Sequence, residues 1–195
     1  MRQDKQFNKG EGITSHYFAD LLSSFVDAVI TIDPHLHRTA SLSDIYKVPT
    51  YTLHAANKMM LWIKEHVNKP LLIGPDSESE QWVSKAAHEI NAPYIILEKN
   101  RKGDKDVEVS VPDVQQYGEY TPVLMDDIIS TARTMIQTVN TIKKLHMKPP
   151  VCIGIHAVFA GDAYQELLNS GVEKIVTCNT ISHISNSIDL SDILV

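Results

Sequence analysis

Two adjacent carboxylates followed by a run of hydroxyl residues are the part of this sequence best suited to chemistry. Asp126 and Asp127 come directly after the apolar residues 123–125, and the segment 130–134 supplies three hydroxyl side chains. A helix that begins in this segment presents unpaired N–H groups and a partial positive charge, which bind phosphate. The carboxylates can accept hydrogen bonds from sugar hydroxyls or hold a metal ion. The segment therefore suits a ribose 5-phosphate group.

Helix capping is the alternative interpretation of the same residues. A single serine or threonine at such a position is more often an ordinary cap than a ligand contact. Capping does not explain the two acids, because carboxylates at the end of a buried strand are costly without a ligand or partner. We therefore favour the phosphate site.

The densest charged run, residues 97–106, is the second candidate. It holds four of the 18 basic residues of the chain, among them Lys99 and Arg101. Most charged runs are solvated surface loops, but this one lies between two predicted strands. A mobile basic loop at that place can close over a triphosphate, and phosphoryl transfer needs positive charge near the moving phosphoryl oxygens.

Alternating strand and helix patterns must position these groups. Strand patterns lie at residues 28–32, 71–73, 94–97, 107–111, 123–125, 151–155 and 175–177, and helix patterns at 14–25, 55–67, 77–90, 136–145 and 163–168. Thr14 or Ser15 is expected to cap the first helix, and Ser77 the third, with Glu80 at capping-box spacing. Continuous apolar strands separated by helices indicate an α/β fold with a parallel sheet covered on both faces.

Polar residues follow the predicted strands, and ligands of such sheets bind at the carboxyl ends of the strands. Asp33, Asp76, Lys99, Asp126 and His156 are all expected there. His35 and His37 follow the first strand, but no third ligand stands at a spacing that supports a zinc site. We expect His37 to be structural.

Composition limits the classes of partner and compartment. The chain has 195 residues, 43% of them hydrophobic, and a formal net charge of -6, which is typical of a soluble globular protein. No apolar run reaches the ~20 residues of a membrane span, and the acidic balance disfavours nucleic acid. Cys152 and Cys178 lie in apolar stretches, which favours buried thiols in a cytoplasmic protein.

Four motifs together resemble the ribose-phosphate pyrophosphokinases, also called PRPP synthetases. The segment 126–131 resembles the phosphoribosyl-binding loop that this family shares with type I phosphoribosyltransferases. Arg2-Gln3-Asp4, Asp33-Pro34-His35 and Lys99-Asn100-Arg101 resemble motifs of the synthetases alone. The motifs stand in family order from residue 1 onwards, so the resemblance is specific for the synthetases.

The resemblance implies a fold and a reaction. Residues 51–195 would be a parallel-sheet, type I phosphoribosyltransferase-like (Rossmann-like) domain of three layers. Residues 1–50 would be the C-terminal part of a similar ATP-binding domain. The C1 hydroxyl of ribose 5-phosphate would attack the β-phosphorus of ATP, giving PRPP and AMP. The family also implies Mg²⁺ and a homo-oligomer.

The resemblance also implies roles for individual residues. Lys99 would be the catalytic lysine, with Arg101 as its partner, and His35 and Asp76 would lie near the magnesium ion. Magnesium prefers oxygen ligands and keeps water, so His35 would touch it weakly or through water. The expected ATP contacts are Arg2, Gln3, Asp4 and His35, and the expected ribose 5-phosphate contacts are Asp126, Asp127, Ser130, Thr131, Ala132, Arg133 and Thr134.

The sequence departs from the family pattern in ways that keep two other functions open. Arg133 replaces a glycine, Ser130 replaces an aspartate, and Glu78 stands among residues that are usually small. Arg2-Gln3-Asp4 lies well inside the first domain of the family, so we expect an N-terminally truncated homologue that does not turn over alone. The alternatives are a PRPP-using phosphoribosyltransferase, which would not need Lys99-Asn100-Arg101, and a non-catalytic subunit, which Arg133 and Glu78 suggest.

Overall fold

The computed structural model describes residues 4–6, 8–36, 38–75, 79–102, 106–110 and 114–195. Within these ranges it gives the backbone but not the side chains of residues 81, 98–102, 106–110 and 115. The chain forms two compact units, Met1–Ala55 and Ala56–Val195.

The first unit contains one helix and a two-stranded parallel sheet. Its elements are α1 (Thr14–Ser23), β1 (Val29–Ile32), a 3-10 turn (Leu42–Asp44) and β2 (Thr50–Leu53). Strand β1 pairs with β2 so that Ile30 lies opposite Tyr51. The sequence pattern does not predict β2, because the strand has only four residues and none of them is buried.

Helix α1 lies where the sequence predicts it, but its cap and its buried face differ. Ile13 is the N-cap residue, and no side chain among the described residues caps the helix, so the predicted caps Thr14 and Ser15 are wrong. Ser15 is 6% exposed and Ala19 is fully buried, whereas Tyr17 is 67% exposed. The small side chains therefore face inward, and larger apolar side chains such as Tyr17 and Leu21 lie at the surface.

The second unit is built on a parallel sheet with a separate hairpin. Its strands are β3 (Pro70–Gly74), β4 (Tyr94–Ile96), β5 (Glu98–Lys102), β6 (Asp106–Ser110), β7 (Thr121–Ile129), β8 (Val151–Ala157), β9 (Lys174–Cys178) and β10 (Asn186–Ile188). Its helices are α2 (Ala56–His66), α3 (Glu80–Ile90), α4 (Arg133–Lys144) and α5 (Ala163–Asn169). Six strands form the parallel sheet in the order β10-β9-β8-β7-β3-β4. The predicted parallel α/β fold is confirmed.

One cluster of the core of this unit includes residues of the central strands and of the helices α4 and α5, and α2 and α3 also bury apolar side chains such as Ile63 and Val83. Val139 and Ile142 of α4 and Leu167 of α5 are fully buried in one cluster with Leu124 and Cys152 of the sheet. Both cysteines are buried and free, and burial raises the pKa of the Cys152 thiol to about 12. The continuous apolar runs therefore form the central strands, as predicted.

The charged run differs from its predicted form. Residues 98–102 form strand β5, which pairs antiparallel with β6 so that Lys99 lies opposite Val109. The pairing partner, rather than the local composition, therefore makes this segment a strand. Helix α3 follows Ser79 as its N-cap residue, and the predicted cap Ser77 lies outside the described residues. No helix in the described part of the chain is both long and apolar enough to cross a membrane.

Candidate functional site

The two adjacent carboxylates lie at the carboxyl end of a central strand. Strand β7 pairs with β3 on one side and with β8 on the other. Residues 123–125 are buried, and Asp126 and Asp127 follow them in the same strand. Asp126 lies opposite Gly154 of β8. The acids therefore lie on a central strand of the sheet, near the carboxyl ends of the strands, where ligands of parallel sheets bind.

The electrostatics of this acid pair are unusual. Burial, together with a hydrogen bond to Asp127 and the charge of Asp127, raises the pKa of Asp126 to about 7. The N–H of Ile128 donates to Oδ1 of Asp127 over 2.8 Å. Hydroxyl donors or a cation near Asp126 would favour its charged form, so the pair is suited to a polyhydroxy ligand or a metal ion.

The segment between β7 and α4 leaves the start of the helix open. Ala132 is the N-cap residue with φ +54°, and no side chain of the described residues caps α4. Thr131, Arg133 and Thr134 are exposed, and Ser130 is half-buried. The first N–H groups of α4 and the hydroxyls beside them are therefore hydrogen-bond donors of the kind that bind a phosphate. Arg133 has a helical backbone, so it does not occupy the left-handed position.

Replacing Ala132 by glycine should stabilise the chain and keep the site intact. A residue with a Cβ is strained at φ +54°, and glycine removes this strain at some cost in unfolded-state entropy. We expect the free energy of unfolding to rise by about 0.5–1 kcal/mol. Urea unfolding of the Ala132→Gly chain measures this change, and a loss of stability would contradict it.

Gly154 is a residue of the site that the sequence analysis missed. A Cβ at this position would lie 2.5 Å from Cδ1 and 2.6 Å from Cγ1 of Ile129. Ile129 is 1% exposed, so it has little room to move. The glycine therefore leaves room for the Ile129 side chain of β7 to pack against the backbone of β8.

Gly154→Ala should destabilise the chain through this contact. Overpacking of a dense core typically costs about 1–3 kcal/mol, and the measurement is the midpoint of urea unfolding. The matched control is the double variant Gly154→Ala with Ile129→Ala, which removes both Cδ1 and Cγ1. Strain at this contact requires the double variant to be more stable than the sum of the single changes predicts; strict additivity would contradict it.

His156 lies beside the acids on the neighbouring strand. It is opposite Ile128 in the pairing of β7 with β8. The Thr180 hydroxyl donates to the Ile155 carbonyl over 2.9 Å, and its oxygen lies 2.9 Å from Nδ1 of His156. Because the hydroxyl has one proton, Nδ1 of His156 must carry a proton and donate to Thr180.

Several predicted site residues lie in the first unit. Asp4 forms an ion pair with Arg38 over 2.8 Å. Asp33 has φ +38°, and its Oδ1 lies 2.7 Å from Nδ1 of His54 while its Oδ2 accepts from the N–H of Ala55. His35 is half-buried.

The remaining predicted residues are only partly described. The backbones of Lys99 and Arg101 lie in β5, while their side chains are outside the described set. Arg2, Gln3, His37, Asp76 and Glu78 lie outside the described residues. The described residues contain no cluster of three or more His, Cys, Asp or Glu side chains that could hold a metal. Magnesium needs only one or two carboxylates plus substrate phosphates, so Asp126 and Asp127 fit this ion.

A family model, curated relatives and a solved structure are all similar to this chain. A family model for the phosphoribosyl transferase domain matches residues 43–192. The ribose-phosphate pyrophosphokinase of Sulfurisphaera tokodaii is 29% identical over 98% of this chain and 66% of its own length. The enzyme of the same name from Saccharolobus solfataricus is 30% identical over 93% of this chain and 62% of its own length.

One solved structure is similar over nearly the whole chain. The crystal structure of phosphoribosylpyrophosphate synthetase from Mycobacterium smegmatis matches with a TM-score of 0.79 and 25% identity. The match covers 99% of this chain and 65% of that one. The chain therefore spans slightly less than two thirds of the length of the relatives it matches.

Proposed function

Because the chain belongs to the phosphoribosyl transferase domain family and is a homologue of ribose-phosphate pyrophosphokinases, we propose that it takes part in diphosphate transfer. The substrates are ATP and ribose 5-phosphate, and the products are AMP and PRPP. The observation that carries this proposal is the acid pair Asp126–Asp127, which runs directly into the uncapped start of α4.

The sugar phosphate fits this segment in one orientation. The 5-phosphate lies at the start of α4, with contacts from Ser130, Thr131, Ala132, Arg133 and Thr134. The carboxylates of Asp126 and Asp127 accept hydrogen bonds from the ribose hydroxyls. The opposite orientation would bring a phosphate against two carboxylates, which repel it.

The ATP side of the proposal rests on the family resemblance. Arg2, Gln3, Asp4 and His35 contact ATP, with His35 and Asp76 near Mg²⁺. Lys99 and Arg101 stabilise charge on the transferred group while the C1 hydroxyl attacks, since phosphoryl transfer depends mainly on positioning and charge. When bound, Mg²⁺ supplies charge neutralisation on the phosphoryl oxygens.

Organisation and location complete the proposal. Residues 1–50 belong to an ATP-binding domain and residues 51–195 to the phosphoribosyltransferase-like domain. The protein works as a homo-oligomer in the cytoplasm. Free buried cysteines support this location, because disulfides are rare there.

The family model also supports a second candidate, because its name covers enzymes that use PRPP. Such a phosphoribosyltransferase would transfer the ribosyl group of PRPP to a base. Such an enzyme shares the phosphate loop, which comprises residues 126–134, but it has no need of Arg2-Gln3-Asp4 or of Lys99-Asn100-Arg101.

One assay separates the two reactions. The chain is incubated with Mg-ATP and ribose 5-phosphate, and AMP and PRPP are measured; a parallel incubation contains PRPP and a set of purine and pyrimidine bases. AMP release that depends on ribose 5-phosphate would support diphosphate transfer and would contradict the expectation that the chain does not turn over alone. Consumption of PRPP that depends on a base, without AMP release in the first incubation, would contradict diphosphate transfer.

A further inference from the structure

The loop between β8 and α5 holds two carbonyls of the phosphate loop. The N–H of Phe159 donates to the Ile129 carbonyl over 2.8 Å, and the N–H of Ala160 donates to the Ser130 carbonyl over 3.0 Å. In a trans peptide the C=O and the following N–H point in opposite directions. A carbonyl repels an anion and an N–H attracts it. Turning the Ser130 carbonyl towards Ala160 therefore aims the N–H of Thr131 away from that loop.

The backbone that makes these bonds is strained. Phe159 has φ +37°, in a region where a residue with a side chain is strained and persists only when its surroundings fix it. The fixing contacts are aromatic. The Phe159 ring lies 4.6 Å from the His183 ring and 5.2 Å from the Tyr164 ring, and the latter two rings are 4.7 Å apart.

The His183 ring is itself fixed by hydrogen bonds to Ser185, which directly precedes the edge strand β10. Its Nδ1 accepts from the N–H of Ser185 and lies 2.7 Å from the Ser185 hydroxyl. That hydroxyl lies 2.8 Å from the buried hydroxyl of Thr177, which accepts from Nδ2 of Asn186. One direction of donation satisfies all of these groups: Asn186 to Thr177, Thr177 to Ser185, and Ser185 to His183. The His183 ring is thus a rigid support for Phe159.

We propose that Phe159 and His183 are positioning residues for the phosphate loop. The Phe159 ring, fixed on His183, holds the strained backbone that turns the Ser130 carbonyl away from the ligand and the Thr131 N–H towards it. Neither side chain has to touch the ligand. The inference rests on the proposed function, because the ligand is the phosphate of ribose 5-phosphate.

Two truncations and one conservative change test this role. Phe159→Ala and His183→Ala remove the ring contact. The strained backbone at residue 159 is then free to change, and the Thr131 N–H no longer points towards the ligand. Because a hydrogen bond to a charged group contributes about 1.5–3 kcal/mol, we expect ribose 5-phosphate affinity by calorimetry to fall about tenfold or more. Phe159→Tyr keeps the ring and should keep the wild-type affinity. Phe25→Ala, at a phenylalanine that is 77% exposed in the first unit, is the matched control.

The amide resonance of Thr131, recorded without ligand, separates this inference from the proposed function. It should shift in Phe159→Ala and His183→Ala and stay unchanged in Phe159→Tyr and Phe25→Ala. Both truncated variants are compared by thermal unfolding, so that a general loss of folding is recognised. An unchanged Thr131 amide in Phe159→Ala, or wild-type affinity in that variant, would overturn the inference. Failure of the wild-type chain to bind ribose 5-phosphate would overturn the proposed function and leave the amide comparison to decide the positioning role.

Discussion

We expect Asp127→Ala to weaken ribose 5-phosphate binding by about 100-fold, because two hydrogen bonds from sugar hydroxyls to one carboxylate contribute about 3 kcal/mol together. Asp127 lies at the carboxyl end of β7, and one of its oxygens already accepts from the N–H of Ile128. Its side chain is half-buried, so solvent screens these bonds only in part. Calorimetric titration with ribose 5-phosphate measures the change.

The control for this variant is an acid outside the site. Glu166 of α5 is exposed, and Glu166→Ala removes the same charge from the chain. We expect it to bind ribose 5-phosphate as the wild type does. Equal losses in the two variants would show that net charge, rather than the carboxylate at the end of β7, governs binding.

We expect Asp126→Asn to make the chain more stable above neutral pH and to weaken ribose 5-phosphate binding. The pKa of Asp126 is raised from 3.8 to about 7, first by burial and then by Asp127. The folded chain therefore holds a proton that the unfolded chain has lost between these two values, and stability falls as pH rises through this window. Asparagine is neutral throughout, so it avoids this loss.

The size and pH dependence of this effect are measurable by urea unfolding. At pH 8 we expect Asp126→Asn to exceed the wild type by about 2 kcal/mol, less than the full shift implies because the site retains solvent contact. At pH 4 the advantage should largely disappear, because Asp126 is then protonated in the folded state. An advantage that is equal at both pH values would contradict the raised pKa. Calorimetry at pH 8 should show weaker ribose 5-phosphate binding for the same variant.

The central strands could be predicted because their apolar runs are continuous, whereas the edges could not. Strands β8 and β9 are buried along nearly their whole length, and β7 is buried over its first five residues, which leaves a clear pattern in the sequence. Strand β10 has three residues and an irregular register with β9, so it has no pattern of its own. Strand β5 is a charged segment that becomes a strand through its pairing with β6.

The buried face of α1 could not be predicted for a related reason. Hydrophobic periodicity identifies the helix but assumes that the larger apolar side chains face inward. In the first unit Ser15 and Ala19 face inward, and Leu21 is 58% exposed. Which face packs depends on the space that neighbouring elements leave, and the sequence pattern of one helix does not contain that information.

The candidate site could also be predicted only in part. Asp126 and Asp127 could be proposed from the sequence because they stand together with the hydroxyl residues that follow. Gly154, Phe159 and His183 could not, because the roles proposed for them depend on a close approach, two backbone hydrogen bonds and ring contacts between distant segments. Backbone hydrogen bonds in particular cannot be inferred from residue types, because nearly every residue has the same N–H and C=O groups.

A titration of the isotopically labelled chain with ribose 5-phosphate, followed through its backbone amide resonances, tests the proposed site most directly. Binding at the start of α4 predicts that the amides of residues 131–134 shift most, that inorganic phosphate shifts the same amides, and that ribose without phosphate leaves them nearly unchanged. Asp127→Ala should weaken the response to ribose 5-phosphate more than the response to phosphate. If saturating ribose 5-phosphate leaves the amide resonances of residues 131–134 unshifted, or shifts those of another region instead, the result would contradict a ribose 5-phosphate site at this loop.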